Sequence, residues 1–387
     1  MTSDGPPIQP TSGAISRTLA RHPRPLGGQP IRGAKPTISL TDQILNNQSI
    51  QTLALKKKPA WLKARVPGGE GFLSTKSIID RNRLHTVCQE ASCPNMGECW
   101  ARGVATIMIL GDTCTRACGF CNVKTGKPPV TDLDEPRRVA DALRGTGLKH
   151  IVITSVDRDD LSDGGAGLWA ETIVRVRDAC PDLSIEVLIG DFRGDEASLQ
   201  MVIDAQPNII AHNLETVRRC HPAVRPSARY ERSIELLRRV KAQGRIAKTG
   251  LMVGIGERRE EVLECLRDII EKTTVARVAE PGLHACGQNG VGIPPNARLA
   301  EEARGVAPEP VGPAPDATRD ACDIITIGQY LQPTLNHLPI DRWVHPDEFA
   351  EYERAGKEAG FKVVFSGPLV RSSYLADKQA EGLKLGF

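Results

Sequence analysis

With 387 residues, 40% of them hydrophobic and 25% charged, the chain can bury a large core and is neither a fibre nor a wholly disordered protein. Its net charge of +3 comes from basic residues scattered singly, without the interleaved aromatics that stack on bases, which argues against a nucleic-acid partner. No apolar run approaches the roughly 18 residues of a membrane span, so no membrane partner is expected either.

Residues 1–50 contain Pro6, Pro7, Pro10, Pro23, Pro25, Pro30 and Pro36 and show neither helical nor strand period, which predicts a disordered extension. Arg17, Arg21, Arg24, Arg32 and Lys35 invite comparison with an organelle presequence, but Asp4, Pro6 and Pro7 spoil an amphipathic helix. A plain extension and a cytoplasmic location are expected, with the mitochondrial or plastid matrix as the alternative. The run Lys56, Lys57, Lys58 reads as a solvated stretch. Residues 51–104 form a segment of their own around Cys88, Cys93 and Cys99.

From Ala105 onward short β-branched runs alternate with amphipathic helical stretches, the pattern of parallel βα units. Six strands are predicted, at Ala105–Leu110, His150–Ser155, Ser184–Ile189, Asn208–His212, Lys248–Val253 and Asp323–Ile327. Helices are clearest at Tyr230–Gln243 and Glu257–Glu271, and a seventh apolar run, Lys362–Phe365, follows a helix near His345–Ala359. The fold class is therefore α/β, a partial (β/α)6 TIM-like barrel over 105–365. Residues 272–318, rich in proline, glycine and alanine, interrupt the rhythm and read as a disordered insertion. Residues 366–387 form a tail expected to return and cap the barrel mouth.

Eleven cysteines without a secretory signal suit a reducing compartment, where close clusters bind metal. Six stand in two triplets, Cys88, Cys93, Cys99 and Cys114, Cys118, Cys121, each one thiolate short of the usual four ligands of an iron–sulfur cluster. The second triplet follows the first predicted barrel strand at its C-terminal end, where barrel active sites lie. A three-thiolate set leaves one iron free to bind a substrate, a cofactor or an unusual protein ligand. Structural zinc needs four closed ligands, no fourth cysteine or histidine lies near the second triplet, and the spacings match no common zinc ribbon or finger, so a zinc-bearing interaction module is the weaker, non-enzyme reading. Cys180, Cys220, Cys265, Cys286 and Cys322 are isolated and read as structural.

The stretch CTRACGFC at 114–121 resembles the cluster loop of the radical S-adenosylmethionine superfamily. Together with HTVC at 85–88, CPNMGECW at 93–100, TSVDRDD at 154–160, HNLET at 212–216, GQYLQP at 328–333 and GPLVRSSY at 367–374, it resembles the lipoyl synthase family over about 59–378, outside the insertion. That resemblance implies two 4Fe-4S clusters, about eight irons per chain. One, at Cys114, Cys118 and Cys121, would bind S-adenosylmethionine and generate a 5′-deoxyadenosyl radical. The other, auxiliary, would be held by Cys88, Cys93, Cys99 and a serine of the RSSY motif, by position Ser373 rather than Ser372. An alkoxide is a hard ligand on an iron that more often meets soft sulfur, so it should release more readily than a thiolate.

The implied reaction is insertion of two sulfur atoms, drawn from the auxiliary cluster, at C6 and C8 of an octanoyl chain on a carrier-protein lysine. Implied partners are an octanoylated lipoyl carrier, such as 2-oxoacid dehydrogenase E2 or the glycine cleavage H protein, an electron donor, and an iron–sulfur assembly or carrier protein. Arg371 is a candidate to orient the ligand loop or meet a substrate carbonyl. The glycines of 250–256 are candidates for close approach to the adenosyl group, and Asp157, Arg158, Asp159 and Asp160 for the active-site rim. A biotin synthase-like sulfur insertion into a free small molecule is the alternative. The insertion and the arginines of GERREE at 256–261 depart from the family pattern.

Overall fold

The computed structural model describes residues 58–64, 66–146, 148–276 and 319–383. The expected extension over 1–50, Lys56 and Lys57, Cys286 and most of the 272–318 insertion lie outside the described residues. Strands that are apolar on both sides need cover on both faces, and parallel βα wiring supplies it. The runs Thr106–Ile109 (β2), His150–Ser155 (β3), Ser184–Leu188 (β4), Ile209–Ala211 (β5), Ile246–Val253 (β6) and Ile324–Gln329 (β7) are buried along most of their length, and Val363–Gly367 (β8) at Val363 and Val364. With the short strand His85–Thr86 (β1) they form one sheet whose spatial order is the chain order.

β2 to β8 pair in parallel, with Thr106 opposite Val152, Ile209 opposite Ile246, and Ile324 opposite both Lys248 and Val363. β1 runs antiparallel to β2, His85 facing Met108. β1 and β8 do not pair, so this is a barrel left open, the fold class expected. Its parallel part has seven strands rather than six, because Val363 and Val364 complete one more βα unit after the helix Pro346–Ala359.

Large apolar side chains, Trp169, Ile173, Leu237 and Ile269 among them, fill the layer between the sheet and its crossover helices. The opposite face, the lumen, holds a second cluster in which Ile209, Ile324 and Val363 meet Ala380 of the tail helix Ala376–Glu381. The tail therefore does more than cap the mouth, since its last turn packs inside the barrel. A third small core lies before β2, where Phe72 of the helix Glu70–Arg81 stacks on Trp100 at 5.2 Å between ring centroids. Gly71 permits that contact, for a Cβ there would sit 2.3 Å from the Ala101 carbonyl oxygen.

The insertion begins later than expected. Helix Arg259–Thr273 continues past residue 272, and Val275–Ala276 then pairs antiparallel with Arg319–Asp320. Lys241 and Lys362 both reach Asp320 and Asp323, at 2.6–3.0 Å, and hold the return into β7. This neck lies at the N-terminal ends of the strands, and β7 keeps full register with both neighbours. The arginines of 256–261 are put to local use, Arg258 donating its backbone N–H and its guanidinium to Glu261 at the helix start and Arg259 in an ion pair with Glu351 of the next helix.

Candidate active site

The second triplet lies on the loop after β2, at the C-terminal end of the sheet. Two other loops clamp it. Gly119 N donates to the Val224 carbonyl at 3.0 Å, and its own carbonyl accepts from Leu338 N at 2.9 Å. A Cβ on Gly119 would lie 2.7 Å from Leu338 Cδ1, so any larger residue there would displace the Leu338 side chain. His337 Nε2 bonds the Cys121 carbonyl at 3.0 Å and must be the protonated nitrogen, while Nδ1 accepts from Thr334 at 2.8 Å.

Beneath the loop, Arg116 is buried and forks onto Asp159 at 2.7 and 2.8 Å, with Nη2 also 2.7 Å from Asp191 and Nη1 3.5 Å from Asp157. One guanidinium cannot neutralise three carboxylates. Burial together with the neighbouring acids keeps Asp157 above the ordinary carboxylate range despite Arg116, whereas Arg116 and His212 outweigh burial at Asp191 and bring it down to about 2. Arg158 forks in turn onto Asp160 at 2.8 Å and reaches Thr131 at 3.0 Å. Asp157 and Asp159 thus anchor the cluster loop, while Asp160 holds Arg158.

The first triplet stands in the small core before β2. Cys88 lies on the helical turn Val87–Glu90, Cys99 on the helix Met96–Ala101, and Cys93 between them, its N–H on the Cys88 carbonyl at 3.0 Å. The tail reaches this segment. Asn95 Nδ2 donates to the Leu369 carbonyl at 2.6 Å, Arg102 pairs with Asp377 at 2.7 Å, and Tyr374 OH donates to Glu98 at 3.4 Å. Gly328 opens the path, because a Cβ there would sit 2.0 Å from the Val370 carbonyl oxygen.

Ser372 Oγ accepts from Asn213 Nδ2 at 2.6 Å, while Ser373 makes no side-chain hydrogen bond among the described residues. Burial loosens the proton of Arg371, and only the acidic groups of Cys93 and Glu215 oppose this, so the guanidinium is within electrostatic reach of both the first triplet and the mouth. The space beside Gly250 is filled by Thr326, Asn213 and Ser372, and that beside Gly254 by Gln329 and the Arg342 carbonyl. These glycines serve close packing. Cys220, Cys265 and Cys322 are buried and Cys180 half-buried, as structural cysteines are.

Burial pushes the thiols of Cys118 and Cys121 up to about 12 and 11, raises Cys114 and Cys93, and with the nearby Cys93 and Cys88 takes Cys99 to about 12. Each stays a neutral thiol at pH 7 until a metal displaces its proton. Among the described residues no three His, Cys, Asp or Glu side chains close round a single ion. A lone zinc needs such a set, whereas the corners of a four-iron cube stand well apart. Asn213 Oδ1 and Arg225 Nε are buried without hydrogen-bond partners, which suits a mouth that takes a polar ligand. The residues present fit two clusters and a zwitterionic cofactor.

Thr115, Arg116, Asp191, Asn213 and His337 carry this site and were not singled out from the sequence. Arg116 had one available signal, a guanidinium between two cysteines of an otherwise small-residue loop. His337 had none, being 216 residues from its partner Cys121.

The radical SAM superfamily profile matches residues 108–269, and the N-terminal domain of lipoyl synthase matches residues 25–93. The lipoyl synthase of Rubrobacter xylanophilus is 47% identical over 331 residues, covering 85% of this chain and 88% of that protein. The mitochondrial lipoyl synthase of Nematostella vectensis is 43% identical over 83% of this chain and 94% of its own length. Among solved structures, methylornithine synthase aligns over 85% of this chain and 86% of its own, with 14% identity and a TM-score of 0.44. Identity at this level, carried through nearly the full length of its sequence relatives, places the chain in the lipoyl synthase family, radical S-adenosylmethionine sulfurtransferases that use two 4Fe-4S clusters to insert two sulfur atoms into a protein-bound octanoyl chain.

Proposed function

We propose that Cys114, Cys118 and Cys121 hold the cluster that binds S-adenosylmethionine, and that Cys88, Cys93, Cys99 and Ser373 hold the auxiliary cluster. The observation that carries this division is the RSSY turn. The residues flanking the serines touch the first triplet's segment, Leu369 at Asn95 and Tyr374 at Glu98, Asn213 engages Ser372, and the Ser373 hydroxyl makes no side-chain hydrogen bond among the described residues. When bound, the two clusters supply reductive cleavage of S-adenosylmethionine and sulfide for transfer. Arg371, whose Nη1 donates to the Val370 carbonyl at 2.6 Å, orients the RSSY turn or meets a substrate carbonyl. In this reading 51–104 is the auxiliary-cluster segment, 105–365 the barrel, and 366–387 the tail that supplies the serine.

The octanoyl chain arrives on a lysine of a lipoyl carrier protein or domain, such as E2 or the H protein. Six buried methylenes, at about 0.8 kcal/mol each, supply roughly 5 kcal/mol of holding energy. One methylene more or less changes binding by only about 1–3 kcal/mol, so the choice of C6 and C8 has to come from anchoring at the carrier. An electron donor and an iron–sulfur assembly or carrier protein complete the partners, and we place the enzyme in the cytoplasm.

Ser373→Ala and Ser372→Ala, each reconstituted anaerobically and given octanoylated carrier or free octanoate, test the assignment. Ser373→Ala is expected to keep S-adenosylmethionine cleavage while losing sulfur transfer, with Ser372→Ala the milder variant. Equal behaviour of the two contradicts the ligand assignment. Turnover of free octanoate alone contradicts the carrier-bound substrate.

A further inference from the structure

Cys114 differs from the other two thiols of its triplet in what is aimed at its sulfur. The N–H groups of Arg116, at 3.4 Å, and of Asp157, at 3.3 Å, both point at Cys114 Sγ, whereas Cys121 takes a backbone hydrogen bond from Val123 alone and none reaches Cys118 among the described residues. One of these donors comes from the cysteine loop and the other from the chain after β3. Their convergence depends on how loop and strand end are joined.

The joint is closed by side chains. Thr115 N and Oγ1 both donate to the Asp157 carbonyl, at 3.0 and 2.9 Å, and Thr115 Oγ1 accepts from Asp159 N at 3.0 Å. Next along the loop, Arg116 forks onto the Asp159 carboxylate and ties it to Asp191 beyond β4. Gly190 leaves room for this, since a Cβ there would fall 2.3 Å from Asp157 Oδ1. A bidentate guanidinium–carboxylate pair fixes relative orientation as well as distance. Behind Asp191 stands Arg232, at 3.0 Å.

We propose that Arg116 is a positioning residue for the cluster held by the second triplet, fixing two backbone N–H groups on Cys114 Sγ and so raising that cluster's reduction potential. The inference rests on the assignment of this cluster to Cys114, Cys118 and Cys121. Its physical basis is that hydrogen bonds to cluster sulfurs and nearby positive charge both stabilise the reduced, more negative state. Removing Arg116 takes away a buried cation and leaves Asp157, Asp159 and Asp191 facing one another, so both effects act in the same direction.

The test is a potentiometric titration of reconstituted enzyme, followed by electron paramagnetic resonance, on wild type, Arg116→Met, Arg116→Lys and Thr115→Val. The signal that changes on adding S-adenosylmethionine to a parallel sample identifies the cluster in question. Its loss in a parallel Cys118→Ala sample establishes that the second triplet carries that cluster, separately from any effect on potential. Arg116→Met is expected to lower the ratio of reduced to oxidised cluster about tenfold at a fixed solution potential, equivalent to about 59 mV for one electron. Arg116→Lys, which keeps the charge but loses the fork, should shift part of the way. Thr115→Val alters no charge and should shift in the same direction by a smaller amount. An unchanged potential in Arg116→Lys and Thr115→Val, with the signal present, overturns the proposal even if Arg116→Met fails to fold. A positive shift in any of the three overturns it as well.

Discussion

Cys114, Cys118 and Cys121 stand on a loop that the barrel grips from several sides, through Val224, His337 and Leu338 and through the buried fork of Arg116. Cys88, Cys93 and Cys99 instead stand in a segment with a small core of its own, joined to the tail by Asn95, Arg102 and Tyr374. Two of those three links are single bonds at or near the surface, and one is long. A centre that must cycle unchanged benefits from a rigid cradle, and one that gives up sulfur and is rebuilt benefits from a segment that opens without disturbing the barrel. The difference in construction matches the different fates proposed for the two centres.

The sharpest way to break this comparison is to disable each triplet in turn. Cys114→Ala should abolish both S-adenosylmethionine cleavage and product. Cys93→Ala should abolish product below detection while cleavage continues, read by chromatography of 5′-deoxyadenosine beside mass analysis of the carrier. If Cys93→Ala also stops cleavage, the two centres are not separable in the way their surroundings suggest.

Acid should attack the support of the second loop. His212 lies behind Asp191, its Nδ1 on the Ile189 carbonyl at 2.9 Å and its Nε2 on Ser233 at 2.9 Å, and burial lowers it to about 4. The folded pKa lies below the unfolded value of about 6.5, so the unfolded chain gains the proton first and stability falls as pH drops from about 6.5 towards 4. The full span is worth about 3 kcal/mol for this residue. His221, lowered to about 4 by burial, adds a slope of the same sign. Urea midpoints between about pH 7 and pH 5 should decline in wild type and decline less in His212→Gln. An identical slope in both would remove His212 from the explanation.

At the first triplet, Asn95→Ala should cost about 1 kcal/mol, the value of one buried hydrogen bond, and speed iron loss from the auxiliary site. Iron release to a chelator checks this, and equal release from both sites would contradict the looser construction. Smallest of all is the effect expected from deleting 277–318. Ala276 and Arg319 are already paired, so an Asn-Gly turn can join them, and the neck lies at the end of the barrel away from the cysteines. Turnover should change less than about twofold, within the range of surface alterations; a large loss would show that the insertion acts on the mouth.

The strands were legible in the sequence because burial on both faces leaves unbroken Ile and Val runs. His150–Ser155 was read with its full bounds, and the other expected strands shifted by no more than about two residues, the ordinary uncertainty of element ends. The six cysteines were legible because their spacing is local. What stayed hidden depends on contacts across long sequence distances. The tail's last helix reads as a cap until Ala380 is seen against Ile209 and Ile324 in the lumen. Asp157 and Asp159 read only as rim candidates until Arg116 is seen beneath the loop.

The central claim is that the two triplets hold centres with different fates, one preserved and one consumed. Reconstituting the enzyme with heavy-isotope sulfide, removing free sulfide, and weighing the lipoyl group formed in a single turnover tests it directly. The account predicts heavy sulfur at both positions of the product, with the signal that responds to S-adenosylmethionine undiminished afterwards. Light sulfur in the product, or loss of that signal in step with product, would contradict it.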